Sequence, residues 1–161
     1  MDDFYIELID LTFNLQESLA FNELLVKEFG RVVYRLPIDN LIRTEFFNQL
    51  EPFGLIVNYI SISELREGEQ ITPHIDHSRS TAINIPLIGN FIDNPIWWGT
   101  VSHVYTCPTA INVGIVHHVK TIVDGPRVVL TVGIKDSWAE NLPKFKKFNN
   151  PQDSNLLSKH I

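Results

Sequence analysis

Residues 80 to 119 decide the fold, and they read STAINIPLIGNFIDNPIWWGTVSHVYTCPTAINVGIVHHV. In this stretch Asp93 is the only Asp, Glu, Lys or Arg. Length and apolarity alone would suit a membrane span. However, the stretch contains prolines, glycines and three histidines, which are costly in lipid. We therefore predict a set of short strands that are buried on both faces.

The flanking sequence extends this β-rich pattern on both sides. β-branched or alternating segments predict strands over 5–13, 55–65, 71–75, 81–88, 101–105, 110–116 and 128–134. Helices are predicted over 15–29, where Asn14 and Glu17 form a capping box, and over 40–50, before Pro52. The sequence thus predicts a mainly β jelly roll with two N-terminal helices packed on one sheet. We expect one domain over 1–142 and a polar surface tail over 143–161.

Composition excludes several classes of protein. With 161 residues, 44% hydrophobic and 20% charged, the chain is globular rather than disordered. Its net charge of −6 disfavours nucleic acid as a partner. The single cysteine, Cys107, rules out an intrachain disulfide and a cysteine-rich zinc site. The N-terminus shows no signal peptide, so we expect a cytoplasmic, soluble protein without a membrane partner.

The segment TPHIDH, residues 72–77, carries the strongest chemical signal. On an extended backbone His74 and Asp76 point to the same side, and Ile75 is expected to point into a core. His117 follows Asp76 by 41 residues, which is enough chain for several strands to intervene. Two histidines and one carboxylate on one face form the facial triad of non-haem Fe(II) oxygenases. This triad leaves coordination positions open for a chelating cosubstrate and O2.

Arg127 begins a predicted buried strand directly after the Gly125-Pro126 turn. A buried guanidinium requires an anionic partner. A dicarboxylate cosubstrate would supply that partner through two parallel hydrogen bonds. The alternative is a salt bridge to Asp or Glu at the rim of the barrel.

Between residues 55 and 135 the chain resembles the Fe(II)- and 2-oxoglutarate-dependent oxygenases. The resemblance rests on ITPHIDHSRSTAINIPL at 71–87 and AINVGIVHHVKTIVDGPRVVLTVGI at 110–134, with an Arg ten residues after the distal His. It implies a double-stranded β-helix that holds Fe(II) through His74, Asp76 and His117. It also implies an oxidoreductase that binds 2-oxoglutarate at Arg127. The reaction implied is a dioxygenase reaction, the O2-dependent hydroxylation of a C–H bond in a small molecule or peptide.

Two positions depart from the family pattern, and one choice of ligand stays open. Val129 stands where many members carry Ser or Thr, and Arg66 lies nearest to a tyrosine of the prolyl-hydroxylase-like members. His117 and His118 are adjacent, so only one can point inward along a strand. The spacing H-x-V favours His117, although His118 would also fit.

Five residues are candidates for binding, and three of them have a simpler structural interpretation. Asn84 and Tyr59 are candidates for cosubstrate contact, Asn84 from within a buried strand and Tyr59 from a polar stripe with Ser61 and Ser63. The candidates for substrate contact are Arg79, Arg66 and Trp98. The simpler interpretations are backbone hydrogen bonding for Asn84, a surface position for Arg79 and a core position for Trp98.

Two other functions compete with the oxygenase. One is a cupin-like barrel without oxygenase activity that binds a metal or ligand through its histidines. The usual cupin pattern, H-x-H followed shortly by Glu, is absent from the chain. The other is an accessory protein that kept the barrel and lost turnover, which the intact His-Asp-His and Arg127 pattern disfavours.

Overall fold

The computed structural model describes residues 3–12, 25–28, 31–35 and 41–152. The strands in these ranges are β1 Tyr5–Glu7, β2 Leu25–Glu28, β3 Arg31–Arg35, β4 Val57–Leu65, β5 Ile71–His74, β6 Thr81–Gly89, β7 Ile96–Trp98, β8 Val101–His103, β9 Thr109–Asn112, β10 His117–Val119 and β11 Arg127–Ile134. The α-helices are α1 Leu41–Leu50 and α2 Trp138–Asn149, and a 3-10 turn, Glu51–Phe53, follows α1.

The strands form two antiparallel sheets. The large sheet has the order β1-β9-β6-β11-β4-β3-β2, and the small sheet has the order β5-β10-β7-β8. Ala82 and Ile111 of the large sheet share one apolar cluster with Ile96 and Trp98 of the small sheet. The two sheets therefore pack face to face, which confirms the predicted mainly β, antiparallel architecture.

Alternate residues of strand β11 face opposite sides of the large sheet. Its alternate residues Leu130 and Val132 join the main core with Phe46 of α1 and Phe145 of α2. The residues between them, together with Arg127, face a cavity on the side of the small sheet. This is the alternation that strand geometry imposes. The large sheet thus has an outer face covered by helices and an inner face whose side chains line the cavity.

The N-terminal part of the prediction needs correction. Of the helix predicted over 15–29, residues 25–28 form strand β2, which pairs with β3, and the remainder lies outside the described residues. Apolar residues in such a short run fit either period, and pairing with the β-branched strand RVVYR decides for the sheet. The second predicted helix is present as α1. The first predicted strand ends at Glu7 rather than at residue 13.

The predicted polar tail does not begin at residue 143. Helix α2 runs through that position to Asn149, and the Ser137 side chain caps it by accepting a hydrogen bond from the Glu140 N–H at 3.1 Å. Phe145 and Phe148 are buried in the main core. Residues 153–161 lie outside the described part. In the described ranges, neither helix is long and apolar enough to cross a membrane.

Candidate active site

His74, Asp76 and His117 meet at one end of the small sheet. His74 ends β5 and His117 begins β10, and the two residues are direct partners across this strand pair. Their Nε2 atoms approach the same carboxylate oxygen, Oδ1 of Asp76, at 3.1 Å and 3.4 Å. The three potential ligand atoms lie within 4.8 Å of one another. The arrangement therefore brings together two imidazoles and a carboxylate around one point.

Backbone carbonyls orient both imidazoles. Nδ1 of His74 lies 2.8 Å from the Thr72 carbonyl oxygen, and Nδ1 of His117 lies 2.8 Å from that of Ile115. A carbonyl only accepts, so each Nδ1 donates to it, and each ring directs its Nε2 at the cluster. Such a second hydrogen bond is the usual support of a metal-binding histidine. The donor set fits a divalent metal such as Fe(II).

Asp76 is held as a carboxylate. Its N–H donates to the Val113 carbonyl at 3.0 Å, and Arg79 Nη2 lies 3.3 Å from its Oδ2. Burial alone would raise the pKa of Asp76. Hydrogen bonds from His117 and His74 and the charge of Arg79 outweigh it and hold the pKa well below its ordinary range. The group is therefore ionised at neutral pH, as a metal ligand must be.

The neighbours of the ligand residues point elsewhere. His117 is buried in the cluster, whereas His118 pairs with Trp97 across β7 and stacks on its indole ring. Ile75 was predicted to enter a core, but it is 43% exposed. The reason is that β5 ends at His74, so the alternation of strand faces does not extend to Ile75.

A cavity of about 50 Å³ lies between the sheets beside this cluster. The large sheet contributes polar side chains to its wall, among them Ser63, Asn84, Arg127 and Thr131. Arg127 is only 4% exposed, and its Nε donates to the Asn94 carbonyl at 3.0 Å. Its guanidinium lies about 5.5 Å from the ring centroids of Tyr105 and Phe91. A buried cation therefore shares a cavity with the three potential metal ligands.

Sequence reasoning missed two residues, Thr131 in the cavity wall and Tyr105 against the wall residues Asn84 and Arg127. The Thr131 hydroxyl donates to Asn84 Oδ1 at 2.8 Å, and Asn84 Nδ2 donates to the Tyr105 hydroxyl oxygen at 2.8 Å. Burial raises the pKa of Tyr105 to about 12. Strand alternation from Arg127 would have found Thr131. Tyr105 carries no such signal, because it lies in the loop after β8.

Comparison with known proteins gives structural matches only. No family model and no curated protein matches the sequence. A viral collagen prolyl hydroxylase from Paramecium bursaria Chlorella virus 1, in complex with 2OG, superposes with a TM-score of 0.63 at 8% identity, covering 82% of this chain and 96% of that one. This chain has the fold of the 2OG-Fe(II) oxygenases.

Two further oxygenase structures give the same result. A prolyl-4-hydroxylase from Pseudomonas putida has a TM-score of 0.55 at 15% identity, with 81% of this chain and 91% of that one covered. An oxidoreductase of the 2OG-Fe(II) oxygenase family from Burkholderia pseudomallei has a TM-score of 0.53 at 16% identity, with 74% and 76% covered. The predicted resemblance is thereby confirmed at the level of the fold.

Within this oxygenase fold, Arg79 and Tyr59 lie next to the metal-ligand cluster. Arg79 contacts Asp76 directly, as described above. Tyr59 does not line the cavity, but its ring lies beneath the Arg79 guanidinium, 4.6 Å from the ring centroid to Cζ. Tyr59 therefore contacts the candidate active site only indirectly, through the Arg79 side chain.

Arg66 and Trp98, the two other substrate candidates, are not brought to the cavity. The Arg66 side chain is 68% exposed in the turn after β4, and it lies 3.6 Å from Glu64. Trp98 is buried between the sheets, stacks on Phe4 and donates from Nε1 to the Asn112 carbonyl at 2.9 Å. Trp98 therefore occupies the core position that was its simpler interpretation, in one apolar cluster with Ile96 and Tyr105.

Proposed function

We propose that this protein is an Fe(II)- and 2-oxoglutarate-dependent dioxygenase that hydroxylates a C–H bond of an amino acid, a peptide or a small metabolite. One observation carries the proposal. Three ligand groups suited to Fe(II) stand on the small sheet and in the loop that follows β5, a buried arginine stands on the large sheet, and all of them line the same cavity. A dicarboxylate that chelates the metal could bind the metal at one wall and the arginine at the other. The likeness of the fold to a hydroxylase solved with 2OG supports it.

The metal would be held by Nε2 of His74, Oδ1 of Asp76 and Nε2 of His117. All three atoms approach from one side, so an octahedral ion would keep the opposite side open. Bound Fe(II) would supply the redox chemistry, in which the oxidative decarboxylation of 2-oxoglutarate to succinate and CO2 is coupled to the activation of O2. The chain itself contributes the orientation of the two rings and the charge of Asp76.

Arg127 would bind the far carboxylate of the cosubstrate. The keto-acid end is occupied by the metal, so the second carboxylate becomes a buried anion that needs a fixed cation. A guanidinium offers two parallel donors where an ammonium offers a point charge. Arg127 is already desolvated and held through Nε by the Asn94 carbonyl. It therefore pays little conformational entropy when the anion arrives.

Tyr105 would donate a further hydrogen bond to the same carboxylate. Its oxygen accepts from Asn84, whose own oxygen is occupied by the Thr131 hydroxyl. The direction of this chain leaves the Tyr105 O–H proton as the donor. Asn84, predicted as a cosubstrate contact, thus acts by orienting Tyr105.

An anaerobic titration tests this function. Fe(II) and 2-oxoglutarate added together should produce a visible absorption band that neither produces alone, because a keto acid chelated to Fe(II) absorbs visible light. Exposure to O2 with amino acids, peptides and nucleosides should then identify the substrate class through succinate release. If the protein retains no Fe(II) and shows no band, the proposal is refuted. Metal retention without a band would favour the cupin-like alternative. The acidic chain leads us to expect no stimulation by nucleic acid.

A further inference from the structure

We propose that Arg79 is a positioning residue that holds one oxygen of Asp76 and leaves only the other to the metal. The inference rests on the proposed function, because it concerns how that metal keeps room for its cosubstrate. For Arg79 the sequence allowed two interpretations, a surface position and a substrate contact, and this role differs from both.

The two oxygens of Asp76 have different neighbours. Oδ1 faces the Nε2 atoms of His74 and His117, whereas Oδ2 faces Nη2 of Arg79 at 3.3 Å. A carboxylate can bind a metal through one oxygen or through both. Binding through both would occupy a position that a chelating cosubstrate or O2 requires. An arginine on Oδ2 opposes this second mode.

Arg79 is itself held firmly in place. Its loop is tied at both ends to Val113, through Asp76 N–H to the Val113 carbonyl and Val113 N–H to the Ser80 carbonyl, each at 3.0 Å. The side chain is only 13% exposed, and the guanidinium lies over the ring of Tyr59. A flexible surface arginine would have none of these constraints.

Gly133 of β11 makes room for this arrangement. A Cβ at this position would come within 3.3 Å of Arg79 Cδ and 2.9 Å of Tyr59 Cβ. Any side chain here would push the arginine or the ring from its place. The absence of a side chain at residue 133 therefore allows the Arg79 guanidinium to stay on Asp76.

The charge of Arg79 acts on both the metal and the dianionic cosubstrate, so Arg79→Lys, which keeps the charge, separates positioning from simple attraction. A cation beside a divalent metal repels it, so removing this charge favours metal binding. Loss of the positioning contact has the opposite consequence for the cosubstrate, because Asp76 can then take a second coordination position. The inference therefore predicts changes of opposite sign for the two ligands.

Cobalt provides the readout, because the absorption of Co(II) reports its coordination number without turnover. Co(II) is titrated into the metal-free parent, Arg79→Gln, Arg79→Lys and Lys146→Gln, and 2-oxoglutarate follows. Lys146 stands on the far side of the large sheet in α2, paired with Asp3, so its variant removes a cation at a distance. For Arg79→Gln we expect Co(II) binding at least as tight as in the parent, an altered Co(II) spectrum and about tenfold weaker 2-oxoglutarate binding. Arg79→Lys should lie between them, and Lys146→Gln should match the parent.

The outcomes separate the inference from the function. A parent protein whose Co(II) spectrum ignores 2-oxoglutarate refutes the proposed function. A responsive parent together with an Arg79→Gln variant of equal spectrum and 2-oxoglutarate affinity overturns the role of Arg79 alone, and so does loss of Co(II) binding in that variant. If thermal unfolding shows that Arg79→Gln does not fold, Arg79→Lys decides: weaker 2-oxoglutarate binding supports the role, and parent-like binding overturns it.

Discussion

His74 and His117 face each other as direct partners of β5 and β10, with ring centroids 4.4 Å apart. The pair exists because of strand register. A shift of one residue in β10 would turn His117 away and bring His118 inward. The geometry of the candidate metal centre is therefore a property of the small sheet as much as of its ligands.

The ligand choice can be tested with the two adjacent histidines. His117→Ala should lose bound iron, because it removes the ring that meets His74 and Asp76. His118→Ala should retain most of the iron, since His118 lies against Trp97 instead. Iron content after anaerobic loading and gel filtration measures both. The reverse result would show that His118 is the distal ligand.

His74→Ala and Asp76→Ala should each abolish iron retention and succinate release. Each removes one of the three groups that converge on the same point. His77→Ala is the matched control, because His77 follows Asp76 in the chain but is exposed. Isothermal titration with Fe(II) under nitrogen reports the loss directly. Undiminished Fe(II) binding by either ligand variant would contradict the assigned centre.

Arg127→Ala should weaken 2-oxoglutarate binding while leaving Fe(II) binding nearly unchanged. A buried carboxylate without its partner costs on the order of 3–5 kcal/mol, which corresponds to roughly 100- to 5000-fold in affinity. Arg127→Lys should be intermediate, because the charge remains but the planar fork is lost. The anaerobic visible band, titrated with 2-oxoglutarate, gives the constant. If Arg127→Ala binds 2-oxoglutarate with the affinity of the parent, the cosubstrate assignment is wrong.

Tyr105→Phe should change both stability and its dependence on pH. Without the hydroxyl, the Asn84 amide loses an acceptor, which costs about 1–3 kcal/mol near neutral pH. The pKa of Tyr105 is raised from 10 to about 12, so its neutral form stabilises the fold below pH 10 and this contribution is lost towards pH 12. The free energy of unfolding should therefore fall less in the variant than in the parent over that interval. Urea unfolding at several alkaline pH values tests this, and parallel curves would refute it.

Phe145→Ala should destabilise the protein by about 3–5 kcal/mol, because it empties a fully buried site between α2 and the large sheet. Lys147→Ala, an exposed neighbour in the same helix, should change the free energy of unfolding by less than about 0.5 kcal/mol. Urea denaturation compares the two variants. Similar midpoints would show that α2 does not support the core.

Long segments with a consistent pattern were predictable from the sequence. The strands predicted over 81–88 and 128–134 and the helix over 40–50 are present within a residue or so of their observed bounds. Short or mixed segments were not. The run before residue 29 has apolar spacing that suits a helix, yet β2 exists because β3 is available as a partner. In α2, Pro143 and the lysines conceal the apolar positions Phe145 and Phe148.

The candidate site divides in the same way. His74 and Asp76 were predicted together because they are two residues apart, although β5 ends at His74 and Asp76 is fixed in the following loop by its N–H, which donates to the Val113 carbonyl. Tyr105 reaches Asn84 and Arg127 only through the folding of the loop after β8, so no local pattern indicates it. Alternation places Trp97 and Trp98 on opposite sides of β7, but it does not say which of them faces the core. Tertiary packing gives that place to Trp98.

The two walls of the cavity differ greatly in their anchoring. Arg127 begins an eight-residue strand that is paired on both sides within the large sheet, whereas His74 and His117 stand on strands of four and three residues. A ligand that touches metal and arginine together would join a firmly anchored wall to a weakly anchored one. Binding in the cavity would then also stabilise the small sheet against unfolding, so the cosubstrate would act as a structural link between the sheets as well as a reactant.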